Sequence, residues 1–127
     1  MGKKEINGLS QSIFESYSSQ LLQVSKNIDQ DIQSAAELII NNSGKVVVCG
    51  LGKSGLIGQK IVATLCSTGT RSVYMHAAEA IHGDLGIYNP GDPTILISKS
   101  GNTEELVRLV PILKEFQSPL ILSLIHI

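Results

Sequence analysis

Tryptophan is absent, and three Tyr and two Phe supply all the aromatic character. The core is therefore expected to be aliphatic, and no surface that stacks nucleobases on aromatic rings is expected. Neither charge sign dominates: ten Lys and Arg stand against eleven Asp and Glu, for a net charge of -1. No global field then draws in nucleic acid or an anionic membrane. Two cysteines, Cys49 and Cys66, are too few for a disulfide framework. Their apolar neighbours predict two small buried residues. No apolar run nears the ~18 residues of a membrane span. The start, Met1-Gly2-Lys3-Lys4-Glu5-Ile6, is basic but lacks an apolar stretch behind it, so no signal peptide is read there. Ile6 also stands where a myristoylation motif wants Ser or Thr. These absences predict a cytoplasmic chain with no nucleic-acid or membrane partner. At 127 residues it is one domain, well short of the roughly 250 residues of a (β/α)₈ barrel.

What is present is a sustained helical period. Residues 1–8 read as a flexible lead. From Leu9 to Ser43 there is no Gly or Pro, and Ile13, Tyr17, Leu21, Val24, Ile28, Ile32, Ala35 and Ile39 recur at steps of three and four. This predicts one long helix or two in succession. After Ser43-Gly44, the β-branched run within Lys45–Cys49 predicts a buried strand. A glycine-rich turn follows at Gly50–Gly55, then a helix over Leu56–Ser67 capped by Gly69. Strands are predicted over 72–75, 94–98 and 119–123, with helices over 76–82 and 103–116. Pro111 interrupts the last helix's hydrogen bonding. The alternation implies an α/β fold, an open parallel sheet flanked by helices and preceded by the long helix or helix pair.

Ligands of such sheets bind beyond the carboxyl ends of the strands. Two loops there suit phosphate. Gly50-Leu51-Gly52-Lys53-Ser54-Gly55 is not a Walker A loop, because its earlier glycine would fall at Val47. It has GxGxxG spacing, but no acidic residue ends the next strand to hold a ribose. It can also serve as a simpler anion site, with backbone N–H groups, a helix N-terminus and the Ser54 hydroxyl as donors and Lys53 facing the ligand. A tight strand-to-helix turn with a solvated lysine explains the same residues. Ser98-Lys99-Ser100-Gly101-Asn102-Thr103 offers three hydroxyls at another helix N-terminus. Plain capping by Asn102 or Thr103, with Glu105 completing a capping box, is its bland alternative. Two such loops on one sheet favour a shared phosphate-bearing ligand.

His76, Glu79, His82, Asp84, Lys53, Glu104 and Glu105 are the ionisable groups near those loops. Metal binding is the lesser reading of them. Aldose–ketose isomerisation through an enediol needs only a phosphate anchor, a base beside the carbonyl and an acid for its oxygen. Glu105 is a candidate base, although a helix dipole lowers rather than raises its pKa.

Taken in order, Gly50–Gly55, Ser67-Thr68-Gly69-Thr70, His82-Gly83-Asp84-Leu85-Gly86 and Ser98-x-Ser100-Gly101-Asn102-Thr103-x-Glu105 resemble the sugar isomerase (SIS) domain, and within it the arabinose-5-phosphate isomerase family. The resemblance covers about residues 10–122. It implies a flavodoxin-like three-layer fold and interconversion of D-ribulose 5-phosphate and D-arabinose 5-phosphate, which supplies 3-deoxy-D-manno-octulosonate for lipopolysaccharide. It implies catalytic roles for Lys53, His82 and Glu105. Substrate and phosphate would be held by Gly52, Ser54, Ser67, Thr68, Ser98, Ser100, Asn102 and Thr103. It further implies no cofactor, an inhibitory zinc at most on His82, and a homotetramer. A non-catalytic sugar-phosphate sensor and a dinucleotide-binding domain are the rival functions. The family's second glutamate and further histidine have no counterpart here, nor has the CBS pair that often follows. Residues 9–127 therefore read as an incomplete, inactive SIS domain. Ser123–Ile127 depart from the family and resemble translated adapter DNA.

Overall fold

The computed structural model describes residues 2–28 and 30–124. Ile125, His126 and Ile127, the end of the tail expected to be foreign, lie outside the described residues. The chain divides into two compact units, 1–34 and 35–127. The first holds α1 (Lys3–Lys26) and the start of α2 (Gln30–Ile40). The helical period is thus realised as two helices. Helix α1 starts at Lys3, so residues 3–8 are helical, and the Gly2 N–H extends the first turn to the Glu5 carboxylate at 2.7 Å. The apolar residues that set the period on α1 are exposed, with Leu21 at 69%, as is Phe14 at 75%.

The second unit is a four-stranded parallel sheet. Its strands are β1 (Val46–Gly50), β2 (Ser72–His76), β3 (Thr94–Ser98) and β4 (Leu120–Leu124), in the order β2-β1-β3-β4. Helices α3 (Gly52–Ser67), α4 (Ala77–Ile81) and α5 (Glu104–Glu115) make the crossovers. All five residues of β1 are buried, as expected of a β-branched strand covered on both faces. One face presents Val47, Cys49, Met75 and Leu96 to Ala77 and Ala80 of α4 and to Leu106, Leu109 and Leu113 of α5. The other face carries Val48 and Tyr74 against Gly58 of α3. The core is aliphatic, as the composition predicts, with Tyr88 packed on Phe116 at a ring separation of 5.7 Å. Helix α5 runs through Pro111 to Glu115.

A polar network closes the edge of the sheet where the strands begin. Asp92 is 1% exposed. It accepts hydrogen bonds from Lys45 N at 3.0 Å, Lys45 Nζ at 2.5 Å and Asn89 N at 2.8 Å. The Ser118 hydroxyl donates to the Asp92 carbonyl at 2.7 Å, and Thr94 Oγ1 joins both Ser118 Oγ and Tyr88 Oη at 2.8 Å. Burial raises the Asp92 carboxyl pKa, but the Lys45 and Asn89 donors outweigh burial and hold it below the ordinary carboxylate value.

Only one of the two cysteines is buried. Cys49 lies on β1, and burial pushes its thiol up to about 12. Cys66 is exposed on the last turn of α3, and its thiol is lowered by hydrogen bonding to Ser72. Its apolar sequence neighbours point elsewhere around the helix, which a linear reading does not separate.

Candidate active site

Strands β1 and β3 are hydrogen-bonded neighbours, yet β1 leads into α3 on one face and β3 into α5 on the other. That divergence is a topological switch point, where open α/β sheets leave a crevice at the carboxyl ends of the strands. Gly50 and Ile97 are partners in register. The glycine loop and the serine loop therefore leave the sheet about 4.8 Å apart, one strand spacing.

The glycine loop is tighter than the sequence predicts. Helix α3 begins at Gly52 instead of Leu56, so Lys53 and Ser54 already belong to its first turn, with free N–H groups facing outward. Gly52 has φ +53°, a conformation that strains any residue with a Cβ. Gly55 packs so closely that a Cβ would lie 2.4 Å from the Tyr74 hydroxyl. That hydroxyl donates to the Gly50 carbonyl at 2.9 Å and so fixes the end of β1. Burial raises the Tyr74 pKa, with Cys49 and Glu79 adding to it. Lys53 is exposed and forms no ion pair among the described residues.

In the serine loop the first hydroxyl is engaged internally. Ser98, 5% exposed, accepts from Gly101 N at 3.0 Å and lies 3.4 Å from Thr103 Oγ1. Ser100 is exposed and accepts from Asn102 N at 3.3 Å. Thr103 is the N-cap of α5 but makes no side-chain capping bond, so the expected capping box does not form. Glu105 is half-buried in the first turn, while exposed Glu104 pairs with Arg108 one turn on. An apolar cleft of about 300 Å³ adjoins this loop, lined among others by Leu96, Ser98, Leu106, Val110 and Leu122. Its walls suit neither phosphate nor sugar hydroxyls.

His82 is exposed and ends α4, followed by Gly83 and a 3-10 turn at Asp84–Ile87. Among the described residues no three His, Cys, Asp or Glu side chains gather to hold a metal, around His82 or elsewhere. Lys53, Ser54, Ser100, Asn102, Thr103 and Glu105 share the edge around the switch point, with Gly52 shaping the glycine turn. Ser67 and Thr68 do not. They end α3, which runs back 16 residues, about 24 Å, to the opposite edge of the sheet. Their hydroxyls donate to the Thr64 carbonyl at 2.8 and 3.0 Å. Around them Gly69 N bonds Cys66 O and Thr70 N bonds Leu65 O, the pattern of a Schellman cap. The Ser67-Thr68-Gly69-Thr70 segment ends a helix.

Residues 39–124 match the SIS domain family. The chain belongs to that family. The chain is 50% identical over 105 residues to arabinose 5-phosphate isomerase KpsF of Escherichia coli O6:H1, covering 82% of this chain and 32% of that protein. It is 48% identical over 101 residues to arabinose 5-phosphate isomerase KdsD of Salmonella typhi, covering 80% and 31%. The chain thus spans about a third of the length of these relatives. A solved structure of E. coli CFT073 c3406 in complex with arabinose 5-phosphate superposes on this chain with a TM-score of 0.89 at 35% identity, covering 98% of this chain and 66% of that one. No helix among the described residues is long and apolar enough to cross a membrane.

Proposed function

We propose that the protein carrying this SIS domain interconverts D-arabinose 5-phosphate and D-ribulose 5-phosphate. The observation that carries this reading is the pairing of two anion-competent loops on adjacent strands, with an exposed lysine on one and a half-buried glutamate behind the other. Likeness to the arabinose 5-phosphate isomerases supports the choice of sugar. The first turns of α3 and α5, with Ser54, Ser100 and Thr103, hold the phosphate; Ser98 shapes their loop. Glu105 takes the proton from C2 of the aldose. Lys53 and His82 supply the proton that the carbonyl oxygen gains as the enediol forms. Return of a proton to C1 and loss of one from the C2 hydroxyl complete the ketose. No cofactor enters this scheme, and zinc at His82 would only inhibit. The product supplies 3-deoxy-D-manno-octulosonate synthesis. The exposed apolar residues of α1, and Leu56 and Ile57 on α3 at 65% and 57% exposure, support a homo-oligomer that buries them.

A direct assay of the whole gene product with ribulose 5-phosphate tests the reading. Turnover is expected, and Lys53→Ala is expected to lower kcat about 10²-fold or more. Sugar-phosphate binding with no turnover in the unmodified protein would make it a sensing module instead.

A further inference from the structure

His76 has no role in the scheme above, yet its surroundings are unusual. It is the last residue of β2 and pairs in register with Gly50, where the glycine loop leaves the sheet. Side chains alternate along a strand. Val73 and Met75 point into the core beside α4 and α5, whereas the Ser72 hydroxyl reaches the Val62 carbonyl of α3 and Tyr74 packs on Gly55 and Gly58. His76 shares the parity of Ser72 and Tyr74. Its ring therefore stands on the α3 face, beyond Tyr74, beside the turn that carries Lys53 and Ser54. Although His76 is the N-cap of α4, its side chain makes no capping bond. Its Nδ1 is buried with no hydrogen-bond partner, while the residue as a whole is half-buried.

An imidazole nitrogen buried without a partner cannot usefully carry the proton, because a buried donor without an acceptor is costly. Of the two ring nitrogens, Nε2 is the one left to reach a ligand. We infer that His76 is a ligand-binding residue that presents Nε2–H to an oxygen of the sugar phosphate held over the glycine loop. The inference deepens the proposed isomerase reading and rests on the same site. It adds a directional donor on β2 to the point charge of Lys53, and a donor of this kind selects a ligand oxygen by position.

The test is titration calorimetry of the full chain with D-arabinose 5-phosphate and with inorganic phosphate, for the unmodified protein and for His76→Gln, His76→Asn and His76→Ala. Circular dichroism checks that each variant is folded. Gln places an amide N–H near the Nε2 position, whereas Asn places one near Nδ1. Affinity within about threefold for Gln, with about tenfold weakening for Asn and Ala, is the expected result, and it stands whether or not the sugar is turned over. Equal affinity in all four proteins overturns the inference and leaves the isomerase reading intact if turnover persists. Equal weakening of Gln and Asn overturns the Nε2 assignment. An unmodified protein that takes up neither ligand overturns both readings. Two-bond ¹H–¹⁵N spectra of the free protein give an independent check: a proton found on Nδ1 defeats the inference.

Discussion

The two edges of the sheet carry similar polar residues in opposite states. Where the strands begin, Lys45, Asp92, Thr94, Ser118 and Tyr88 bind one another and are largely shut away from water. Where the strands end, Lys53, His82 and Ser100 are exposed, and neither Lys53 nor His82 makes an ion pair among the described residues. The first edge is a closed network; the second carries the residues proposed to bind the sugar phosphate. The same side-chain chemistry does either job, and the strand polarity decides which.

The sharpest way to break the contrast is Asp92→Ala. It leaves the half-buried Lys45 ammonium and the Asn89 N–H without their acceptor, and a loss of about 3 kcal/mol is expected in urea denaturation. Gly55→Ala comes next. The new Cβ meets the Tyr74 hydroxyl, so the bond to Gly50 must give, at a cost of about 1–3 kcal/mol, with weaker phosphate binding in calorimetry. Acid then separates the edges further. Because the folded-state pKa of Asp92 is depressed, its stabilising contribution is full above the unfolded carboxylate value. It is lost as pH falls through the folded value, so Asp92→Asn should flatten the acid limb of a stability–pH profile. The smallest stability effects belong to the open edge. Lys53→Ala and Ser100→Ala should each move the unfolding free energy by less than about 0.5 kcal/mol, even where activity collapses.

The order of elements is readable from period and glycine alone, because strands of five residues and amphipathic helices announce themselves locally. The phosphate-competent loops are legible for the same reason. Asp92 is not: its partner Lys45 lies 47 residues away, and only the adjacency of β1 and β3 brings them together. Ser67 and Thr68 show the converse. Only the family resemblance places them among the substrate-holding residues, and the direction of α3 carries them to the opposite edge of the sheet. Ser98 belongs to the serine loop, but its bond to Gly101 N gives it the task of shaping that loop. His76 needs the strand register and its buried nitrogen to stand out from the other ionisable residues.

Strand β1 donates its amides alternately to its two neighbours, Val46 to the Arg71 carbonyl and Val47 to the Pro93 carbonyl, both at 2.9 Å. Amides held this way exchange with solvent deuterium only when the whole sheet opens. The glycine turn is continuous with that strand and is fastened to it through Tyr74. Its geometry therefore persists through the local openings that loosen loops elsewhere, so the proposed phosphate site has its donors in place before any ligand arrives.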